Sequence, residues 1–214
     1  MNLEIETFPC GPIATNAYLV IDPETQQALI VDAPPDSADV LQEGARDRGV
    51  QIALIVITHT HWDHIVDAAR LRRETGAPLA AHPLAVPRLE QPRPLLSDLP
   101  FTIEPVSPDR LLEDGDTVEL GRWRFRVLHT PGHASEQISL YEPEARVLFG
   151  GDTLFAGGYG RVDLPGASVV QTVATMRRLL ELPDDVTVYP GHGQPTTIGR
   201  ERPWMIQVAS SSPA

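Results

Sequence analysis

Thr58-His59-Thr60-His61-Trp62-Asp63-His64 packs three imidazoles and one carboxylate into a few consecutive positions. The run before it, residues 52–57, reads Ile-Ala-Leu-Ile-Val-Ile and predicts a buried strand. Residues 65–74 carry apolar side chains at helical spacing and predict a helix. The cluster therefore falls on a strand-to-helix turn. Side chains alternate along extended backbone, so His59 and His61 point the same way. Asp63 and His64 open the helix and point elsewhere. One short segment can thus supply two ligands to one metal and two to a neighbouring metal. Imidazole with carboxylate suits zinc, iron or manganese rather than calcium or magnesium. Three of the chain's seven histidines fall in this window, which weighs against a coincidental surface turn.

Working outward, strands are predicted over residues 3–8, 16–22 and 28–32, the last two joined by the turn Asp22-Pro23-Glu24-Thr25. Asp36-Ser37 is expected to cap a helix over 38–48 that stops at Gly49. A short strand follows at 79–82. Residues 83–108 hold seven prolines and are read as a surface loop with one helical turn. Strands resume at 117–120, 123–129, 137–141 and 146–149. A helix is predicted over 168–182 and a last short strand over 186–189. The tail is expected to be disordered over 207–214. The whole chain, 1–214, reads as a single domain.

Three later turns share a pattern. Pro131-Gly132 precedes His133, Gly150-Gly151 precedes Asp152, and Pro190-Gly191 precedes His192. Each follows an apolar strand. A glycine before a ligand lets the backbone turn sharply and approach a metal closely.

His59-x-His61-x-Asp63-His64, then His133, Asp152 and His192, resembles the signature of the metallo-β-lactamase superfamily over nearly the whole chain. The resemblance implies an α/β fold, a four-layer αββα sandwich, with a dinuclear site on one edge. It implies one metal at His59, His61 and His133, a second at Asp63, His64 and His192, and Asp152 bridging both. The expected cofactors are two divalent metal ions, zinc foremost, with iron or manganese as alternatives. Ions about 3.5–4 Å apart can share a hydroxide generated near neutral pH, which attacks a carbonyl carbon. One ion then stabilises the oxyanion. Asp63 is expected to orient the hydroxide as well as bind metal.

Residues 151–161 and Thr130-Pro131-Gly132-His133 resemble the matching stretches of glyoxalase II, the hydroxyacylglutathione thioester hydrolases. Tyr189-Pro190-Gly191-His192-Gly193 and residues 196–201 resemble the short bacterial glyoxalase II-like hydrolases. The expected activity is hydrolysis of a small-molecule acyl thioester, with Arg161 and Tyr159 as substrate contacts. The chain departs from the long enzymes. It stops shortly after His192, where they carry a helical domain whose basic residues help hold glutathione. It has no lysine, and Tyr159 stands where they usually have cysteine. The first alternative is a mononuclear iron persulfide dioxygenase, similar in the same motifs and using His59, His133 and Asp152. Tyr189-Pro190-Gly191-His192 leans away from that branch. β-Lactamases with a second site usually have cysteine at the Asp152 position. Lactonases carry tyrosine where Phe155 stands. The second alternative is an inactive metal-binding domain. Structural zinc sites are closed, four-coordinate and often cysteine-rich, whereas seven His and Asp ligands leave open positions.

Composition narrows the partners. Seventeen basic residues, all arginine, against 29 acidic ones give a net charge of −12. That opposes a nucleic-acid surface, which needs a basic footprint, and an anionic membrane. No run approaches the ~20 apolar residues needed to span a bilayer. No signal peptide is evident, and the expected location is cytoplasmic. The expected assembly is a monomer or homodimer. Cys10, the single cysteine, is read as structural. His82 is read as a satisfied histidine at a strand end, His129 as a core residue or a support for a ligand, Trp62 as a core residue and Asp32 as a candidate support for a ligand. Arg161 with Asp163 could bind a substrate carboxylate, orient a ligand histidine or pair with each other.

Overall fold

The computed structural model describes residues 2–92 and 101–211. Its first sheet holds β1 (Glu4–Cys10), β2 (Thr15–Asp22), β3 (Gln27–Val31), β4 (Gln51–Val56), β5 (Leu79–Ala81) and β6 (Arg110–Leu111), in that spatial order. The first three strands form an antiparallel meander, and β3 to β6 run parallel. Parallel neighbours need crossover connections. Here α1 (Ser37–Asp47) links β3 to β4, and α2 (Trp62–Ile65) with α3 (Ala68–Thr75) links β4 to β5. A 3₁₀ turn, Pro83–Ala85, and α4 (Val86–Glu90) begin the return to β6.

The second sheet holds β7 (Thr117–Leu120), β8 (Trp123–His129), β9 (Ile138–Glu142), β10 (Val147–Gly151), β11 (Thr187–Pro190) and β12 (Thr196–Thr197), neighbours in that order. β10 and β11 pair in parallel across α5 (Val169–Leu179), and the other neighbours are antiparallel. α6 (Ile198–Ser210) follows β12.

Strand β2 shows how the layers stack. All eight of its residues are buried. Ala17, Leu19 and Ile21 pack with Leu41 of α1 and Leu71 of α3, while Tyr18 and Val20 pack with Phe125 and Phe149 of the other sheet. A strand covered on both faces must be apolar at both parities, so residues 17–21 run continuously apolar. A third cluster, with Leu148, Met176, Leu179, Val188 and Met205, joins the second sheet to α5 and α6. Helices, sheet, sheet and helices give the αββα order expected from the motifs.

Several expected elements differ. The helix expected over 65–74 is split at Asp67, whose backbone N–H donates to the carbonyl of Ala33 at 3.0 Å instead of continuing the helix. The Asp36-Ser37 cap does not form. Asp36 is left-handed (φ 65°) and makes no side-chain cap bond, and Oδ2 of Asp67 accepts from the N–H of Ala38 at 2.8 Å. The helical turn expected within 83–108 is present as α4, and residues 93–100 of that loop lie outside the described residues.

The largest correction concerns the tail. Residues 207–210, expected to be disordered, form the last turn of α6, and residues 212–214 lie outside the described residues. Pro203 and the serine run masked this helix. Thr197 caps it by accepting from the N–H of Arg200, and burial of Met205 and Ala209 holds it against the second sheet.

Candidate metal centre

The cluster lies at the C-terminal end of β4, where the apolar strand ends and residues 57–61 run extended into the single turn of α2. His59 and His61 face the same space, with Nε2 of His59 3.1 Å from Nδ1 of His61. Three groups of side chains offer ligand atoms within 4.8 Å of one another. They are His59, His61 and His133; His59, His64 and Asp152; and Asp63, His64 and His192. All seven predicted ligands thus meet. Two of these groups coincide with the sets implied by the resemblance, and the third joins His59 with His64, whose ring centroids lie 4.1 Å apart.

Asp152 stands between the two histidine groups. Its Oδ2 is 3.4 Å from Nε2 of His133 and 3.5 Å from Nε2 of His192. Its Oδ1 is 3.4 Å from Nε2 of His64. Oδ2 of Asp63 lies 3.3 Å from both His64 and His192. Nε2 of His64, Nε2 of His133 and Oδ1 of Asp152 are buried and make no hydrogen bond. Unpaired buried polar atoms are costly. Several gathered around Asp152, all nitrogen or carboxylate oxygen, fit divalent transition metals.

Hydrogen bonds behind the cluster set which ring nitrogen faces inward. Asp32 accepts from Nδ1 of His64 at 2.8 Å, from the hydroxyl of Thr58 at 2.8 Å and from the N–H of Thr58 at 2.7 Å. With its hydroxyl proton committed to Asp32, Thr58 can only accept from Nδ1 of His59, at 3.2 Å. Nδ1 of His133 donates to the carbonyl of Arg161 at 2.8 Å. In His59, His64 and His133 it is therefore Nε2 that faces the cluster. Thr15 donates to Oδ2 of Asp63 at 2.8 Å.

The His192 loop is stitched to both halves. The N–H of Asn16 donates to the carbonyl of Gly191 at 2.7 Å, and the N–H of Gly191 to that of Gly151 at 2.8 Å. Asn16 and Tyr18 side chains both donate to the carbonyl of Pro190. A Cβ at Gly191 would fall onto the Asp152 carboxylate, and one at Gly151 (φ 49°) onto the Thr58 hydroxyl. These glycines allow the close approach that the turn pattern predicted.

Taken alone, these side chains have displaced pKa values. Burial, then the charges of His64 and His61, drives His59 well below the usual imidazole range. Burial, then His133 and His64, pushes His61 down to about 4. Burial opposes protonation of His64 too, but Asp63, Asp32 and Asp152 outweigh it and hold its pKa well above normal. Burial likewise opposes protonation of His192, but bonds to Asp152 and Asp63 raise it to about 9. Burial would raise Asp63, yet His64 and His192 bring it down to about 2. Asp152 stays well below the carboxylate range, because His64 and His192 outweigh burial.

Above the cluster opens a cleft of about 480 Å³. His61, Asp63, His133, Asp152 and His192 line its floor, with Ile13, Trp62, Phe155 and Leu164 along its sides. Arg161 also lines it, but its guanidinium is paired with Asp163 at 2.7–2.8 Å. Its backbone carbonyl, not its side chain, is what orients His133. Tyr159 does not line this cleft. It packs beside Trp204, ring centroids 6.0 Å apart, and faces a small cavity behind Asp152. Trp62, read as a core residue, instead lines the cleft and stacks on Phe101 at 5.8 Å. His82 and His129 stack on each other at 4.4 Å, apart from the three ligand groups. Burial pushes the Cys10 thiol up to about 11, consistent with an inert side chain.

The supports Thr15, Asn16, Tyr18 and Glu136 had no signal of their own in the sequence. Glu136 is buried and accepts from the backbone N–H of Thr60 at 3.2 Å and from its hydroxyl, fixing the residue between His59 and His61. The polar triplet Ser135-Glu136-Gln137, just beyond a ligand turn, was the available clue.

Residues 10–192 match the family model described as the metallo-beta-lactamase superfamily. The chain belongs to that superfamily. Its hydrolase-type metal site and its fold follow from that membership and from the ligand groups described above. It is similar to the hydroxyacylglutathione hydrolase GloC of Haemophilus influenzae, 31% identical over 210 residues, covering 94% of this chain and 95% of that protein. The solved structure of BLEG-1 B3 metallo-beta-lactamase superposes with a TM-score of 0.85 at 33% identity, covering 94% of this chain and 97% of that one. TTHA1623 in a di-iron-bound form superposes with a TM-score of 0.79 at 35% identity, covering 92% and 96%. Among the described residues, no helix is long and apolar enough to cross a membrane.

Proposed function

We propose that this member of the superfamily is a metal-dependent hydrolase of small-molecule acyl thioesters that uses two divalent ions. The observation that carries the reading is the Asp152 carboxylate, whose two oxygens lie within 3.5 Å of His64, His133 and His192 on the floor of an open cleft. In this reading His59, His61 and His133 would hold one ion and Asp63, His64 and His192 the other, with Asp152 as the ligand the two sites would share. Bound ions would lower the pKa of water toward neutrality and polarise the substrate carbonyl.

The chain's own residues do the rest. Asp63 lines the cleft and is ionised at neutral pH, so it accepts a hydrogen bond from water at the floor and orients it. Thr15 holds that carboxylate from behind. Asp32, Thr58 and the Arg161 carbonyl keep three imidazoles in the ligand tautomer. No side chain is required as a general acid, because a thiolate departs without protonation. The GloC relative supports the thioester class, and the di-iron TTHA1623 structure supports two ions, with iron beside zinc as a candidate. Nothing in the proposal calls for nucleic acid or membrane, and the reading places the activity in the cytoplasm.

A β-lactam is the second reading, favoured by the likeness to BLEG-1. Protein loaded with zinc, iron or manganese separates the readings. We expect about two ions per chain and cleavage of acyl thioesters such as S-lactoylglutathione. Cleavage of a chromogenic cephalosporin without thioester cleavage would move the assignment to the second reading. A single iron, with oxygen uptake on glutathione persulfide and intact thioesters, would overturn both.

A further inference from the structure

We infer that the cleft selects acyl thioesters that are apolar and uncharged on either side of the reacting carbonyl, and disfavours glutathione conjugates. This rests on the thioester reading above and narrows its substrate class.

The cleft has a polar floor and apolar sides. Its floor is the ligand cluster. Its sides are Ile13, Trp62, Phe155 and Leu164. Ile13 sits between β1 and β2 with 50% of its surface exposed, on a concave surface facing the cluster. A lone exposed isoleucine is ordinary, but here it opposes other apolar groups across a cavity of about 480 Å³, the size of small-molecule sites. Phe155 stands with its ring 6.0 Å from that of His192 and so borders the cluster within the cleft. Trp62 is fixed by its stack on Phe101. Burying apolar substrate surface against these walls is favourable at roughly 25 cal/mol per Å².

Among the described residues of the same lining, no unpaired cation is present to recognise an anion. Glutathione conjugates carry two carboxylates, and binding them calls for unpaired cations at fixed positions. Arg161 is the one arginine among the described lining residues, and its charge is paired through one edge of its fork, Nε with Oδ1 of Asp163 at 2.8 Å and Nη2 with Oδ2 at 2.7 Å. A net charge of −12 adds a field that repels anions at long range. A thioester with a neutral thiol meets neither obstacle.

A matched pair tests the inference on the zinc-loaded full chain, S-butyryl-N-acetylcysteamine against S-butyrylglutathione. The acyl group and the bond broken are the same, and the charge on the thiol differs. The uncharged substrate should have the higher kcat/KM by about tenfold or more. Ile13→Asp, on an exposed loop, should lower that value by about tenfold with metal content unchanged, and Asp163→Asn, which releases Arg161, should raise the value for the glutathione conjugate. Calorimetry on the metal-free chain gives an independent readout, in which the uncharged S-hexyl thioether of N-acetylcysteamine should bind more tightly than S-hexylglutathione. Equal or better turnover and binding of the glutathione compounds would overturn the inference and leave the thioester reading standing. Equal loss on both substrates from Ile13→Asp would overturn the role of the apolar wall. No cleavage of either thioester by metal-loaded protein would overturn both the inference and the reading on which it rests.

Discussion

Oδ2 of Asp32 lies 2.8 Å from Nδ1 of His64 and also 2.8 Å from the hydroxyl of Thr58, which in turn accepts from His59. One buried carboxylate thus stands behind one ligand from each histidine group. Asp32 is left-handed, with φ 63°, a conformation that aspartate and asparagine tolerate best among residues with side chains. Asp32→Asn keeps the shape but puts an amide donor where two donors already point. Metal affinity should fall roughly tenfold to a hundredfold, the usual effect of losing such a support. Chelator competition measures it, and unchanged affinity would remove Asp32 from the metal centre.

Glu136 supports the cluster from the opposite side by holding Thr60. Burial would raise its pKa, but bonds from Thr60, its own backbone N–H and Ser135, with the charge of Arg88, outweigh it and lower it. A carboxyl whose folded pKa is depressed stabilises the fold above its unfolded pKa, about 4.3, and loses that contribution as pH falls. Glu136→Gln should therefore lower the melting temperature at pH 7, with the gap to wild type closing as pH drops below about 4. Glu136→Ala, which leaves Thr60 unpaired, should cost about 1–3 kcal/mol at neutral pH. A gap that widens on acidification would contradict the assignment.

Gly191 is where the backbone comes closest to the cluster. A methyl group there would strike the Asp152 carboxylate and approach Cε1 of His64 to 2.7 Å. Both contacts are with groups of the centre itself, so the loop must move and carry His192 with it. Gly191→Ala should fold but bind fewer ions per chain, by elemental analysis after dialysis. Gly193→Ala, whose added carbon meets nothing within 4 Å, isolates the backbone cost of a positive φ. Equal metal loss in both variants would show that any disturbance of this loop releases metal, and the close approach at Gly191 would not be the cause.

The candidate ligands were legible in sequence because metal chemistry restricts residue type and spacing at once. Three turns with glycine before histidine or aspartate, and the 58–64 run, left few other readings. Of the supports only Asp32, at a strand end, drew notice; Thr15, Asn16 and Glu136 were not legible, since they act through bonds to residues far along the chain, and threonine, asparagine and acids occur everywhere. Trp62 lay between ligands, but only the fold shows that Phe101 comes to meet it. The paired sheets could be read from strand patterns, whereas β6 and β12, two residues each, carry too little pattern to register. At 198–210 local signals pointed the wrong way, because an internal proline and a polar start outweighed two buried side chains one turn apart.

That last helix offers a test of packing against local propensity. Met205 is fully buried in the cluster formed with α5, while its neighbour Ile206 is 48% exposed. If α6 docks as described, Met205→Ala removes a core side chain and should cost about 2–5 kcal/mol. Ile206→Ala should stay within about 0.5 kcal/mol, as expected for a surface position. A disordered tail would make both changes silent, and a helix rotated about its axis would reverse their order. The helix also bears on the site, because Glu201 accepts from the backbone N–H of Gly157 at 2.7 Å and so steadies the turn that carries Phe155. Thermal melts of the two variants decide the packing, and loss of thioester turnover in Glu201→Ala with full metal content would tie α6 to the wall of the cleft.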